Sequence, residues 1–146
     1  MKSGERVKST YEEFVMINMR NEAKLLWEQA LEDLKTAKAL IEVKRYYASV
    51  FFSQQAAEKA LKALYIEVKR EFPPKTHSLL RLSNELGIED EEVIDAVLDL
   101  NPEYIVTRYP DAANEVPAKI YNERMAVEHL EKAKKVIGFC RQKLGL

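Results

Sequence analysis

The chain has 146 residues, 47% of them hydrophobic, and its 23 basic and 24 acidic residues leave a formal net charge of −1. That length suits one domain with one core, and the balanced charge argues against a protein that coats nucleic acid by bulk electrostatics, though a local basic pocket is compatible with it. A single cysteine, Cys140, excludes an intramolecular disulfide and fits a reducing cytoplasm.

Residues 1–18 read as an N-terminal extension, polar to Glu13 and then apolar at Phe14, Val15, Met16 and Ile17. Their charged start has no apolar signal core behind it, and no stretch approaches 18 consecutive apolar residues, so the expectation is a cytoplasmic protein without a membrane span. Residues 19–146 read as one helical domain. The five prolines sit at 73, 74, 102, 110 and 117, leaving 19–70 free of helix breakers. The spacing of Ala23, Leu26, Trp27, Ala30, Leu31, Leu34, Ala37, Leu40 and Ile41 predicts a helix over about 20–43 with one apolar stripe, Asn21 as its cap, and Glu28, Glu32, Asp33, Lys35 and Lys38 facing water.

A second helix, about 46–70, is apolar nearly all round: Tyr46, Val50, Phe51, Ala57, Leu61 and Leu64 between them cover most of its circumference. Such a helix is buried on several sides, and in a small bundle the second side is expected to meet another subunit, which predicts a homodimer. After Pro73-Pro74, Thr76 is expected to cap a short helix from His77 to Leu86 that Gly87 ends. A fourth helix is predicted over about 90–100, then a long irregular segment over 101–121, then a final helix over about 122–143 with Cys140 on its apolar face. The reading is an all-α, antiparallel up-and-down bundle of four to five helices.

The candidate chemistry is narrow. Two histidines, one cysteine and no paired-ligand spacing predict no metal site, and four scattered glycines make no phosphate loop, so no cofactor is expected. Arg108, in the irregular segment, can grip a phosphate or carboxylate bidentately, with Tyr104, Tyr109 and Tyr121 available to stack on a base. Asp111 can orient Arg108; an Arg108–Asp111 pair that merely fixes a proline turn is the alternative. Gln55, Lys59 and Lys62 share a face of the second helix, lining a polar groove or a subunit seam, with a plain solvent face as the alternative. His77 is a candidate for binding a nucleotide or a partner carboxylate, against a plain capping or packing role. Arg124 and His129 are the residue types of metal-free RNA cleavage, but five positions apart on an ideal helix they diverge by roughly 140°. Two solvated helix residues are the alternative.

Ala30, Asp33-Leu34 and Ala37, the run from Tyr47 to Leu64 with its Gln54-Gln55-Ala56-Ala57-Glu58-Lys59-Ala60-Leu61-Lys62 core, Thr76-His77-Ser78-Leu79 and Arg108-Tyr109-Pro110-Asp111 occur in this order. Together they resemble the HEPN family over about residues 19–146. The resemblance implies a dimeric HEPN-like bundle, often paired with a minimal nucleotidyltransferase in a two-component, toxin–antitoxin-like system. Many members are metal-independent ribonucleases with Arg-x4–6-His at the dimer interface; others bind nucleotide, RNA or only their partner. Counting on from Arg108, the histidine positions hold Ala113, Asn114 and Glu115, whereas Arg124 and His129 match the spacing. The expected function is therefore a nucleotide- or RNA-binding partner protein. Endoribonuclease activity through Arg124 and His129, or a purely structural interaction module, are the alternatives.

Overall fold

The computed structural model describes residues 19–146, so the extension over residues 1–18 lies outside it. Among the described residues there is no strand. The helices are α1 (Asn21–Glu42), α2 (Tyr46–Lys69), α3 (Leu79–Glu85), α4 (Glu91–Leu100), α5 (Glu103–Val106), α6 (Pro110–Ala113) and α7 (Glu123–Leu144), with a 3₁₀ turn at Pro117–Lys119 between the last two. No helix among them is long and apolar enough to cross a membrane.

α1, α2, α4 and α7 form an up-and-down bundle. α1 and α2 are antiparallel: Arg20 N–H donates to Glu67 Oε2 (3.0 Å) at one end, and Ser49 Oγ donates to the Ala37 carbonyl (2.7 Å) near the other. α2 is the central helix, packed on α1, α7, α3, α5 and the 3₁₀ turn. Small residues permit this. Ala56, Ala57, Ala60 and Ala63 are all fully buried and let neighbouring backbones approach from more than one direction. The all-round apolar character of α2, from which a dimer is expected, is thus largely met within one chain. The main core gathers Trp27, Leu61, Leu79, Leu82, Val97, Leu100, Val136 and Cys140, and a smaller cluster forms around Val50, Tyr121 and Ala126. Burial pushes the Cys140 thiol up to about 12, so the residue behaves as a small core hydrophobe.

Several local expectations need correction. The N-cap of α1 is Arg20, without a side-chain cap, and Asn21 is the first helical residue. Ser78, not Thr76, caps α3: its Oγ accepts from Arg81 N–H, while Thr76 Oγ1 accepts from Ser78 N–H one step earlier. Asp33 does not face water; it is 3% exposed and paired with Lys59. The segment 101–121 is not irregular throughout. Pro110 and Pro117 each start a helical turn, where a missing N–H costs nothing, and Asn114 closes α6 in the left-handed region at φ 56°.

Candidate functional site

The site lies where the early turns of α2 meet the 70–78 connector and α5. On α2, Gln54, Glu58 and Lys62 follow one another at four-residue intervals and share one face. Glu58 is buried, and Gln55 Nε2 lies 3.5 Å from its Oε1 beside three closer groups. His77 Nδ1 sits 3.1 Å from its Oε1, Lys62 Nζ donates to its Oε2 at 3.0 Å, and Gln54 Nε2 lies 3.4 Å from Oε1. Gln54, fully buried, also donates to the His77 carbonyl at 3.1 Å, so α2 holds both the backbone and the ring of His77.

This seam continues across α2 to α1. Gln55 Nε2 donates to Gln54 Oε1 (2.7 Å), Lys59 Nζ donates to Gln55 Oε1 (3.3 Å), and Lys59 also pairs with Asp33 Oδ2 (2.5 Å), whose other oxygen accepts from Gln29 Nε2 (2.9 Å). Asp33 is buried because it is paired, which is the condition under which a carboxylate tolerates burial. Gln55, Lys59 and Lys62 therefore line a half-buried polar seam between helices, and the solvent-face alternative does not hold for them.

Outward from the seam lies an aromatic cluster. The His77 ring stacks on Tyr104 with centroids 3.8 Å apart and planes 12° apart. The Arg108 guanidinium lies over three rings, 4.8 Å from Tyr104, 5.3 Å from Tyr109 and 5.4 Å from Phe51. Each such contact is worth about 0.5–1 kcal/mol at an exposed position and orients the planar cation. Among the described residues no carboxylate is within ion-pair distance of Arg108, and Asp111, exposed in the first turn of α6, does not pair with it. The turn is fixed by Pro110 and by the Ala113 N–H bond to the Tyr109 carbonyl (3.1 Å) rather than by an Arg–Asp pair. Beside the stack opens a cleft of about 350 Å³ lined by His77, Ser78, Asn101, Pro102, Tyr104 and Ile105.

One buried bond ties down the segment that carries Tyr104 and Arg108. Tyr121 Oη donates to Glu103 Oε2 at 2.6 Å, joining the start of α5 to the residues just before α7. Burial, and then the Glu103 carboxylate, hold the Tyr121 phenol well above the usual tyrosine range.

Arg124 and His129 lie elsewhere, in the first two turns of α7. Arg124 is exposed and pairs with Glu128 (2.9 Å). His129, half-buried, has its Nδ1 2.7 Å from the Met125 carbonyl oxygen one turn back. The helix is regular there, capped by Asn122. The structure thus brings together His77, Gln55, Lys59, Lys62, Arg108 and Tyr109, leaves Asp111 at the edge, and sets Arg124 and His129 apart. It adds Phe51 and Asp33, and it draws in Gln54 and Glu58, which stand out in the sequence only as polar positions of an otherwise apolar helix. The signal available for those two was the Gln54–Glu58–Lys62 spacing; Phe51 and Asp33 carried none.

Comparison with known proteins points to one family. The sequence pattern of the HEPN domain matches residues 23–143. The protein called "Putative toxin MJ1304" of Methanocaldococcus jannaschii is 32% identical over 139 residues, covering 85% of this chain and 91% of its own. The crystal structure of TT1696 from Thermus thermophilus is similar at a TM-score of 0.76 and 36% identity, over 85% of this chain and 99% of that one. ST0689, described as an archaeal HEPN homologue, is similar at a TM-score of 0.69 and 25% identity, over 86% and 99%. With the profile matched along most of its length and a relative of this similarity, the chain belongs to the HEPN family.

Proposed function

We propose that this chain is a toxin-like HEPN module: a homodimer that contacts nucleotide or RNA through the Arg108 cluster and pairs with a minimal nucleotidyltransferase. The observation that carries the ligand reading is the Arg108 guanidinium, spread over Phe51, Tyr104 and Tyr109 with no carboxylate to neutralise it among the described residues. A planar cation displayed beside stacked aromatic rings suits a phosphate flanked by a base. The toxin-like part rests on family membership and on the name of the Methanocaldococcus relative. The pairing rests on the resemblance alone.

Binding of a labelled single-stranded RNA and of nucleoside monophosphates to the full chain is the direct test. Arg108→Ala is expected to weaken binding by about tenfold or more, and Arg108→Lys, which keeps the charge but not the fork, by less. If Arg108→Ala leaves both ligand and partner binding unchanged, the cluster is structural. Metal-free RNA cleavage lost on His129→Ala would replace this reading by the ribonuclease one. Co-purification with a minimal nucleotidyltransferase encoded beside this chain tests the pairing.

A further inference from the structure

At the C-terminal end of α2 two apolar features lie near each other, one hollow and one raised. The hollow is a cleft of about 510 Å³ where α2, α7 and the turn after α3 meet, with Val68, Leu86, Ile88 and Phe139 in its walls. Its edge is acidic: Glu89 and Asp90 are exposed there, and neither forms an ion pair among the described residues. The raised feature is Phe72, 76% exposed and directly ahead of Pro73-Pro74. A residue before proline is confined to extended backbone, so the ring is carried by a stiff segment that loses little freedom when it is covered. Its flanks are basic: Lys69, Arg70 and Lys75 are exposed and form no ion pair among the described residues. The charges of opposite sign at each feature are engaged within the chain. Glu67 accepts from Arg20 N–H, Glu71 accepts from Tyr65 Oη at 3.4 Å, and Lys143 Nζ lies over the Phe139 ring.

We infer that these features are the two halves of one self-complementary contact: in the homodimer, Phe72 of each chain seats in the cleft beside Val68 of the other. This pairing rests on the homodimer of the proposed function and gives it a geometry. A two-fold axis makes both subunits use the same patch, so a raised side chain needs its receiving cleft beside it on the same surface. Val68, in the cleft wall, and Phe72 are four residues apart, which limits their separation to about 14 Å, and the axis can pass between them. The charges agree with the shapes. Lys69 and Arg70 of one chain come opposite Glu89 and Asp90 of the other, and symmetry repeats the match on the second side of the axis. An aromatic anchor that fills an apolar pocket within a polar rim is where interfaces concentrate their binding energy. A second copy of this chain therefore covers both exposed apolar features at once.

Two charge-altered chains, followed by analytical ultracentrifugation, test this. In one, Lys69→Glu with Arg70→Glu makes the flank of Phe72 acidic. In the other, Glu89→Lys with Asp90→Asn makes the edge of the cleft basic, and the asparagine still caps α4. Each alone is expected to dimerise about tenfold more weakly than the unaltered chain, because both copies of the contact then oppose like charges. An equimolar mixture of the two is expected to regain the unaltered affinity, since in the mixed dimer both copies are complementary again. A defect in folding cannot produce that recovery. Phe72→Ala, at an exposed position, is expected to weaken dimerisation by about tenfold or more. Undiminished dimerisation of Phe72→Ala, or of either charge-altered chain, overturns the pairing, and so does a mixture of the two folded chains that stays monomeric. If circular dichroism shows a charge-altered chain to be unfolded, Phe72→Ala decides the question. An unaltered chain that is monomeric removes the homodimer reading itself, whereas a dimer indifferent to these changes keeps that reading and overturns only the contact.

Discussion

Two buried acidic side chains show how differently a carboxylate can be kept inside this molecule. Glu103 is held by a neutral phenol. Tyr121 Oη donates to it at 2.6 Å, and the phenol is pushed up by burial before the carboxylate adds its own effect. A group whose pKa is raised in the folded state contributes stability that is fully present below its unfolded value and is lost as pH rises past it. For tyrosine the unfolded value is about 10. The urea midpoint of the unaltered chain is therefore expected to fall more steeply above pH 10 than that of Tyr121→Phe. At neutral pH Tyr121→Phe should cost about 1–3 kcal/mol, because the Glu103 oxygen loses its donor without regaining water. Parallel slopes in the two proteins between pH 9 and 11 would count against this account.

Asp33 is instead held by a cation, and the consequence is different. Lys59 reaches it from the neighbouring helix and is itself about a quarter exposed. Removing one partner of a buried pair typically costs about 3–5 kcal/mol; Lys59→Met should fall toward the lower end, since Gln29 remains on the other Asp33 oxygen. The double change Asp33→Leu with Lys59→Met should recover most of the loss, because a well-packed apolar pair is often as stable as the ions it replaces. Chemical denaturation of the three proteins checks both statements. The position of Asp33 was not legible in the sequence. It sits beside the apolar stripe of α1, and only the approach of Lys59 from another helix decides that it turns inward.

At the scale of the element, three helices end in the same way. At the ends of α1, α3 and α7 a residue in the left-handed region is followed by a reversed hydrogen bond. Arg45 N–H donates to Leu40, Ile88 N–H to Ser83 and Leu146 N–H to Arg141, with residues 44, 87 and 145 at positive φ. Two of those positions are glycine, and the third is Lys44 at φ 61°. A side chain there carries a steric cost that glycine lacks. Lys44→Gly is expected to stabilise the chain by about 1 kcal/mol, near 3 °C in Tm. Gly87→Ala should do the reverse by a similar amount: a Cβ at Gly87 meets nothing within 4 Å, so the cost would be backbone strain alone. Thermal melts of both variants separate the effect from packing. The long helices themselves were readable from periodicity, to within one or two residues at each end. The turns at 103–119 were not. A one-turn helix contains no period, and its geometry is set by the prolines and by bonds such as Tyr121–Glu103 that span 18 residues. Part of the site was hidden for a related reason: Arg108, Tyr109 and His77 stand out by residue type, and Gln54 and Glu58 by polarity, whereas Phe51 looks in sequence like an ordinary member of an apolar helix.

For the whole molecule, the remaining expectation is the homodimer, and the packing changes where it has to be sought. The apolar character of α2 on nearly every side is the reason to expect a second subunit, yet α1, α7 and α3 cover most of those sides. What α2 leaves uncovered is at its C-terminal end: Val68 is 56% exposed, and Phe72, in the connector just beyond, is 76% exposed. A subunit contact driven by the surplus of α2 therefore belongs there. Val68 lies 14 residues past Gln54, about 20 Å along the helix axis, so such a contact leaves the His77–Arg108 site open. Light scattering at micromolar concentration is expected to give twice the chain mass. Val68→Asp with Phe72→Asp should give the monomer mass, with unaltered affinity for nucleotide. A monomer before any substitution removes the dimer from the proposed function. A dimer that survives both changes places the interface on another surface, and loss of nucleotide affinity together with dimerisation would mean that the Arg108 site is completed by the second subunit rather than by one chain.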